Sequence, residues 1–163
     1  MRASSMDALK RAMDFEREGI NYYTKAKERT HHPIGQAIFE MLVEQENKHI
    51  DYLSLLYEKL KAEDRWPGEI TVKLDKDFKM IFKEAAKKLN TNVKIYTDEL
   101  EALRFAIDME KKGQKMYREL SGNATDQLEK DFYATLAEWE KFHAEYVEEH
   151  YNYFEDRGLF TEE

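Results

Sequence analysis

The chain has no cysteine among its 163 residues, so it can form no disulfide, no zinc-thiolate site and no iron-sulfur or rubredoxin-type iron centre. Any metal it holds must be held by nitrogen and oxygen. Glycine and proline are scarce too, at 6 and 2, while charged residues reach 37%. That balance excludes a turn-rich sheet protein and suits long helices with solvated outer faces. Basic residues are outnumbered, 26 against 34, leaving a formal charge of −8. A nucleic-acid or anionic-membrane partner needs a net basic face and is not expected. No run of about eighteen apolar residues occurs, and residues 1–10 lack a secretory apolar stretch, so the expected location is cytoplasmic.

What is present is enough apolar material, 42%, for one core in one domain spanning 1–163. The pattern predicts an all-α fold. A first helix runs from about Ser5, read as its N-cap, to about Arg29. His31-His32-Pro33 breaks it, and Pro33 suits the first position of a second helix that reaches about Glu63. Together they make a hairpin over 5–63. A crossover of 64–96 follows, in which Ile70 to Leu74 is extended in character and Asp75 caps a short helix to about Leu89. A second hairpin, 97–156, joins a helix from Thr97 to about Leu120 with one from about Thr125 to Asp156, stopped by Gly158.

The chain also repeats itself. Shifted by the 94 residues that separate Glu16 from Glu110, the second hairpin overlays the first without a gap, with thirteen identities. Ala8, Leu9, Ala12, Asp14, Glu16, Gly19 and Tyr23 match Ala102, Leu103, Ala106, Asp108, Glu110, Gly113 and Tyr117. Leu42, Glu44, Glu46, His49, Tyr52 and Tyr57 match Leu136, Glu138, Glu140, His143, Tyr146 and Tyr151. Shared packing rules explain the leucines and alanines. They do not explain why Glu46 and His49 interrupt the apolar seam Phe39, Leu42, Leu53, Leu56, as Glu140 and His143 interrupt Tyr133, Leu136, Val147, His150.

The other two helices each contribute one inward acid. Glu16 lies on the stripe Leu9, Ala12, Gly19, Tyr23, Ala26, and Glu110 on Leu103, Ala106, Gly113, Tyr117, Leu120. Four carboxylates in one core cost several kcal/mol per ion unless cations or protons neutralise them, and two divalent cations cancel four negative charges. Glu and His three residues apart share a helix face, the ligand pair of carboxylate-bridged dimetal bundles. A single pair would say little, since Glu28 and His31 have the same spacing and map onto Gly122 and Thr125. The duplicated pair with a duplicated seam glutamate points to two metal ions held by Glu16, Glu46, His49, Glu110, Glu140 and His143. Iron is the first expectation, with manganese and zinc as alternatives. The competing reading is a metal-free buried hydrogen-bond network.

These motifs, Glu16 with Tyr23, Glu46-Asn47-Lys48-His49, Glu110 with Tyr117, and Glu140-Lys141-Phe142-His143, resemble the ferritin-like superfamily and within it the rubrerythrin-type di-iron domain, over residues 5 to 156. The resemblance implies a four-helix bundle with Glu16 and Glu110 as terminal ligands, Glu46 and Glu140 as bridges, and one metal for each histidine. It implies an oxidoreductase reducing hydrogen peroxide or dioxygen, and Tyr23 and Tyr117 as groups behind the carboxylates, a place that packing alone explains equally well. A homodimer and a separate electron-donor protein are the expected partners. The chain departs from the pattern at Gly113, where rubrerythrins carry a further glutamate, and in having no rubredoxin domain. A non-catalytic iron-handling protein, a dimanganese catalase-like enzyme and a bundle whose metals only stabilise the fold are the alternatives. Trp66 and Trp139 read as packing or interface residues, His31 and His32 as solvated loop residues, and His150 as structural.

Overall fold

The computed structural model describes residues 2–68 and 94–161. Four long helices carry the fold: α1 (Arg2–Arg29), α2 (Pro33–Glu63), α3 (Thr97–Asn123) and α4 (Gln127–Asp156). α1 packs on α2 and α3 on α4 as two antiparallel hairpins, which meet through α1 against α3 and α2 against α4. The expected extended stretch 70–74 and the short helix 75–89 lie outside the described residues.

Local chemistry sets the ends. Pro33 occupies the first turn of α2, and His32 caps it by accepting the Ile34 N–H on Nδ1 at 3.2 Å. His32 is therefore not solvated: it is buried and packs edge-on against Phe154, ring centres 4.9 Å apart, while His31 is exposed as expected. α2 stops at Asp64, whose backbone enters the left-handed region at φ 54°. Asp126 caps α4, its Oδ1 accepting the N–H groups of Leu128 at 2.8 Å and Glu129 at 3.3 Å, so that helix begins two residues later than expected.

Two expected boundaries move because side chains bridge elements. α1 begins upstream of Ser5, which is no cap; its hydroxyl donates across the bundle to Glu129 Oε2 at 2.8 Å. α3 runs through Ser121 and Gly122 to Asn123, with the Ser121 hydroxyl donating to the Lys130 carbonyl at 2.9 Å. At the opposite end, β1 (Ile95–Tyr96) and β2 (Phe160–Thr161) form a two-residue parallel pair, a departure from a purely helical chain. It fastens the segment after α4 to the start of α3. Buried Glu99 adds a second fastening there, accepting the backbone N–H of His31 between the helices of the first hairpin and that of Tyr96 at 3.3 Å.

All the residues of the four predicted seams are buried except His150, which is half-buried. They divide into two apolar clusters. One contains Tyr23, Phe39, Leu42, Leu103 and Val147; the other contains Leu9, Leu53, Leu56, Tyr133 and Leu136. The acid and imidazole layer lies between them. Among the described residues no helix is long and apolar enough to cross a membrane.

The Asp126 cap closes two donors that would otherwise face water at a helix start, an arrangement worth about 1 kcal/mol. Asp126→Ala is expected to lower the unfolding free energy by roughly that amount in urea titration, and Asp126→Asn to recover most of it.

Candidate metal centre

Each helix brings its seam acid to one level. Glu16 comes from α1, Glu46 and His49 from α2, Glu110 from α3, and Glu140 and His143 from α4; none is more than 2% exposed. They form two overlapping groups. Glu16, Glu46, His49 and Glu140 offer ligand atoms that all lie within 4.8 Å of one another, and so do Glu46, Glu110, Glu140 and His143. All six residues singled out in the sequence are thus brought together, and the two groups share Glu46 and Glu140.

His49 Nδ1 lies 3.1 Å from Glu16 Oε1, 3.1 Å from Glu46 Oε2 and 3.1 Å from Glu140 Oε1. His143 Nδ1 lies 3.2 Å from Glu110 Oε2 and 3.4 Å from Glu46 Oε1. One ring nitrogen carries at most one hydrogen, so it cannot satisfy three oxygens. Both oxygens of Glu46 and Oε1 of Glu140 are accordingly buried without a hydrogen-bond partner. Orphaned buried acceptors are costly, and a cation placed among them would satisfy several at once. The donor set of four carboxylates and two imidazoles fits two divalent ions of the iron, manganese or zinc kind, and the donors alone do not rank these metals.

Electrostatics tell the same story. Burial, then the charge of Glu46, pushes the Glu16 and Glu140 carboxyls well above the usual range. Burial would raise Glu46 as well, but the neighbouring imidazole of His49, with Glu16 and His143 close by, reverses this and holds it well below. Burial opposes a charge on either histidine; Glu46 and Glu16 outweigh it at His49, and the close carboxylates of Glu110 and Glu46 carry His143 up to about 9. Without metal, protons do the neutralising.

The tyrosines cross between hairpins. Tyr23 of α1 donates its hydroxyl to Glu110 Oε1 of α3, and Tyr117 of α3 donates to Glu16 Oε1 of α1. Burial first, then these acids, keeps both phenols well above their ordinary range, so they stay donors. Both tyrosines are packed in the core, and each also holds a carboxylate of the other hairpin by its hydrogen bond. Sequence reasoning missed Trp139 as a neighbour of the cluster. It is buried, and its ring centre lies 5.0 Å from that of His49. Trp66 packs instead on Phe132 and Tyr133, ring centres 6.0 and 6.2 Å away.

The structure gives Gly113 a steric reason. A Cβ there would sit 2.6 Å from Glu140 Oε2 and 3.0 Å from Phe15 Cε1, whereas a Cβ at the repeat-equivalent Gly19 meets nothing nearer than Tyr23 at 3.6 Å. The Glu140 carboxylate fills the space in front of Gly113. Comparison with family models, with curated proteins and with solved structures gives no match. What is established is therefore the class the fold and site define: a four-helix protein of two hairpins with a buried carboxylate and histidine cluster able to hold two metal ions.

Two predictions follow from this geometry. Gly19→Ala removes helix-interior glycine freedom without a clash and is expected to stabilise the protein by about 0.5–1 kcal/mol, while Gly113→Ala displaces Glu140 and is expected to weaken metal binding measured by calorimetry. Equal metal affinity in the two variants would contradict the packing described. The second concerns protons: in the metal-free cluster the neighbouring acids favour the protonated form of both imidazoles, and a metal needs their Nδ1 atoms free. Metal loading at pH 7 is expected to release protons into a weakly buffered indicator solution, with the His143 share fading as pH rises through about 9. The same sign makes that imidazolium's contribution to metal-free stability complete below its ordinary 6.5 and lost through about 9.

Proposed function

We propose that this protein is a di-iron carboxylate oxidoreductase of rubrerythrin type, reducing hydrogen peroxide or dioxygen with electrons from an external donor. The observation that carries it is the pair of overlapping ligand groups sharing two carboxylates, with Glu46 and Glu140 acceptors left without partners. Glu16 and Glu110 would each hold one ion, His49 and His143 one ion each, and Glu46 and Glu140 both. Iron held by these residues would supply two reducing equivalents and Lewis-acid polarisation.

The chain's own residues do the rest. Tyr23 and Tyr117 hold Glu110 and Glu16 by charge-assisted hydrogen bonds, which keeps the outer carboxylates aimed as the charge between them changes. The apolar clusters above and below exclude water and raise the strength of every electrostatic contact in the layer. Protons held at Glu16, Glu140 and the two imidazoles in the metal-free cluster are the ones displaced on loading. With no cysteine in the chain, no thiolate iron centre can feed the site from within, so a separate donor protein belongs to the proposal. A homodimer belongs to it as well; a large shell in light scattering would favour iron storage instead.

Stopped-flow mixing of the Fe(II)-loaded protein with peroxide is expected to produce the absorption of an oxidised iron pair faster than free Fe(II) oxidises. Glu46→Ala and Glu140→Ala are expected to lose this reaction while remaining folded by circular dichroism. Oxidation no faster than that of free Fe(II) would overturn the reading. Oxygen release from peroxide without reductant by the manganese-loaded protein would favour the catalase-like alternative.

A further inference from the structure

The two halves differ at a place where their repeat brings unlike residues beside like ones. Trp139 corresponds to Gln45 under the 94-residue offset, and both are buried, at 2% and 4% exposure. One position before each inward glutamate, one half thus carries an easily oxidised ring and the other an amide that is not. Trp139 sits 5.0 Å from His49 between ring centres, inclined by 37°. Tyr52 lies 6.3 Å further on, edge-on at 79°, and is half-buried at the surface of α2. His49, Trp139 and Tyr52 form a continuous row of rings from the ligand set toward solvent.

The indole N–H of Trp139 is buried without a hydrogen-bond partner. A buried tryptophan normally finds an acceptor, and leaving one out costs about 1–3 kcal/mol. Packing alone does not need an indole there, since the other half fills the equivalent place with glutamine. Besides thiols, which this chain lacks, indole and phenol rings are the side chains that most readily give up a single electron. Tyr23 and Tyr117 are phenols nearer the carboxylates, but at 1% and 0% exposure an oxidising equivalent on either stays in the core.

We propose that Trp139 and Tyr52 carry oxidising equivalents from the metal pair to the protein surface, a proposal that rests on the peroxide-reducing reading above. Reducing hydrogen peroxide to two waters takes two electrons and two protons, the protons being drawn from solvent. Where only one electron is available from the bound metals, Trp139 supplies the other and becomes a radical cation. An electron from Tyr52 restores Trp139, and the Tyr52 phenol releases its proton to solvent, leaving a neutral phenoxyl radical. A small-molecule reductant such as ascorbate returns the electron at the half-exposed ring, and solvent returns the proton. The row thus moves an unspent oxidant away from the buried carboxylates and histidines.

The test uses the full iron-loaded chain, reduced to one electron per metal pair, mixed with hydrogen peroxide and frozen within milliseconds for electron paramagnetic resonance. A tyrosyl signal, identified by ring-deuterated tyrosine, is expected in the unaltered protein. In Tyr52→Phe it is expected to vanish, leaving an indole-centred signal. Trp139→Phe, which keeps a ring in the space, and Trp139→Gln, which borrows the residue of the other half, are both expected to abolish the tyrosyl signal while two irons per chain remain bound. Iron oxidation followed optically in the same samples separates the two claims. Oxidised iron with no radical, or with a radical unchanged in Tyr52→Phe or Trp139→Phe, overturns the relay and leaves the peroxide reading standing; no iron oxidation overturns both.

Discussion

Four carboxylates enclosed in one helical bundle are the constraint from which the rest of this structure follows. Burial penalises a charge on each by several kcal/mol, and among the described residues no arginine or lysine is placed beside them to balance it. The protein's answer is to set two imidazoles between the acids, so that protons or metal ions can take up the charge. The apolar layers on either side then determine how strongly that charge is felt. A cluster of this kind is a poor choice for stability alone, because a well-packed apolar layer in its place would do at least as well. Its retention makes sense through what it can bind.

Much of this was legible in the sequence because the bundle is built from long uninterrupted helices. Their regular period projects seam positions onto one axis, and the duplication supplies an internal control: Glu46 and His49 recur as Glu140 and His143 at a fixed offset, whereas Glu28 and His31 do not recur. The helix stops at Pro33 and Asp64 were readable from local chemistry alone. What the period could not carry were contacts between elements distant in sequence. Ser5 looked like a cap because its own neighbourhood permits one; its partner, Glu129, is 124 residues away. His32 looked like a solvated loop residue, and the packing of its ring on Phe154, far along the chain, is a contact that local sequence does not carry. The two-residue strand pair is too short to have any periodicity.

The centre itself divides along the same line. Its six charged members were found from spacing, but the direction of the tyrosine bonds and the place of Trp139 depend on how α1 meets α3 and α2 meets α4. Gly113 illustrates the limit. In sequence it is a missing glutamate; in space it is the room that the carboxylate of Glu140 occupies. The identity at Gly19 hides a difference in surroundings, so the repeat is exact in residue type there and inexact in use.

The crossed tyrosines bear on how such a chain can arise. Each hydroxyl belongs to one hairpin and the acid it grips belongs to the other, so neither half possesses a finished bond of this type by itself. A lone ancestral hairpin meeting its own twin across a two-fold axis would already own both, one in each direction. Joining the twins in a single polypeptide then frees them to diverge, and a tryptophan in one half where the other keeps a glutamine is the kind of inequality that two identical subunits can never acquire.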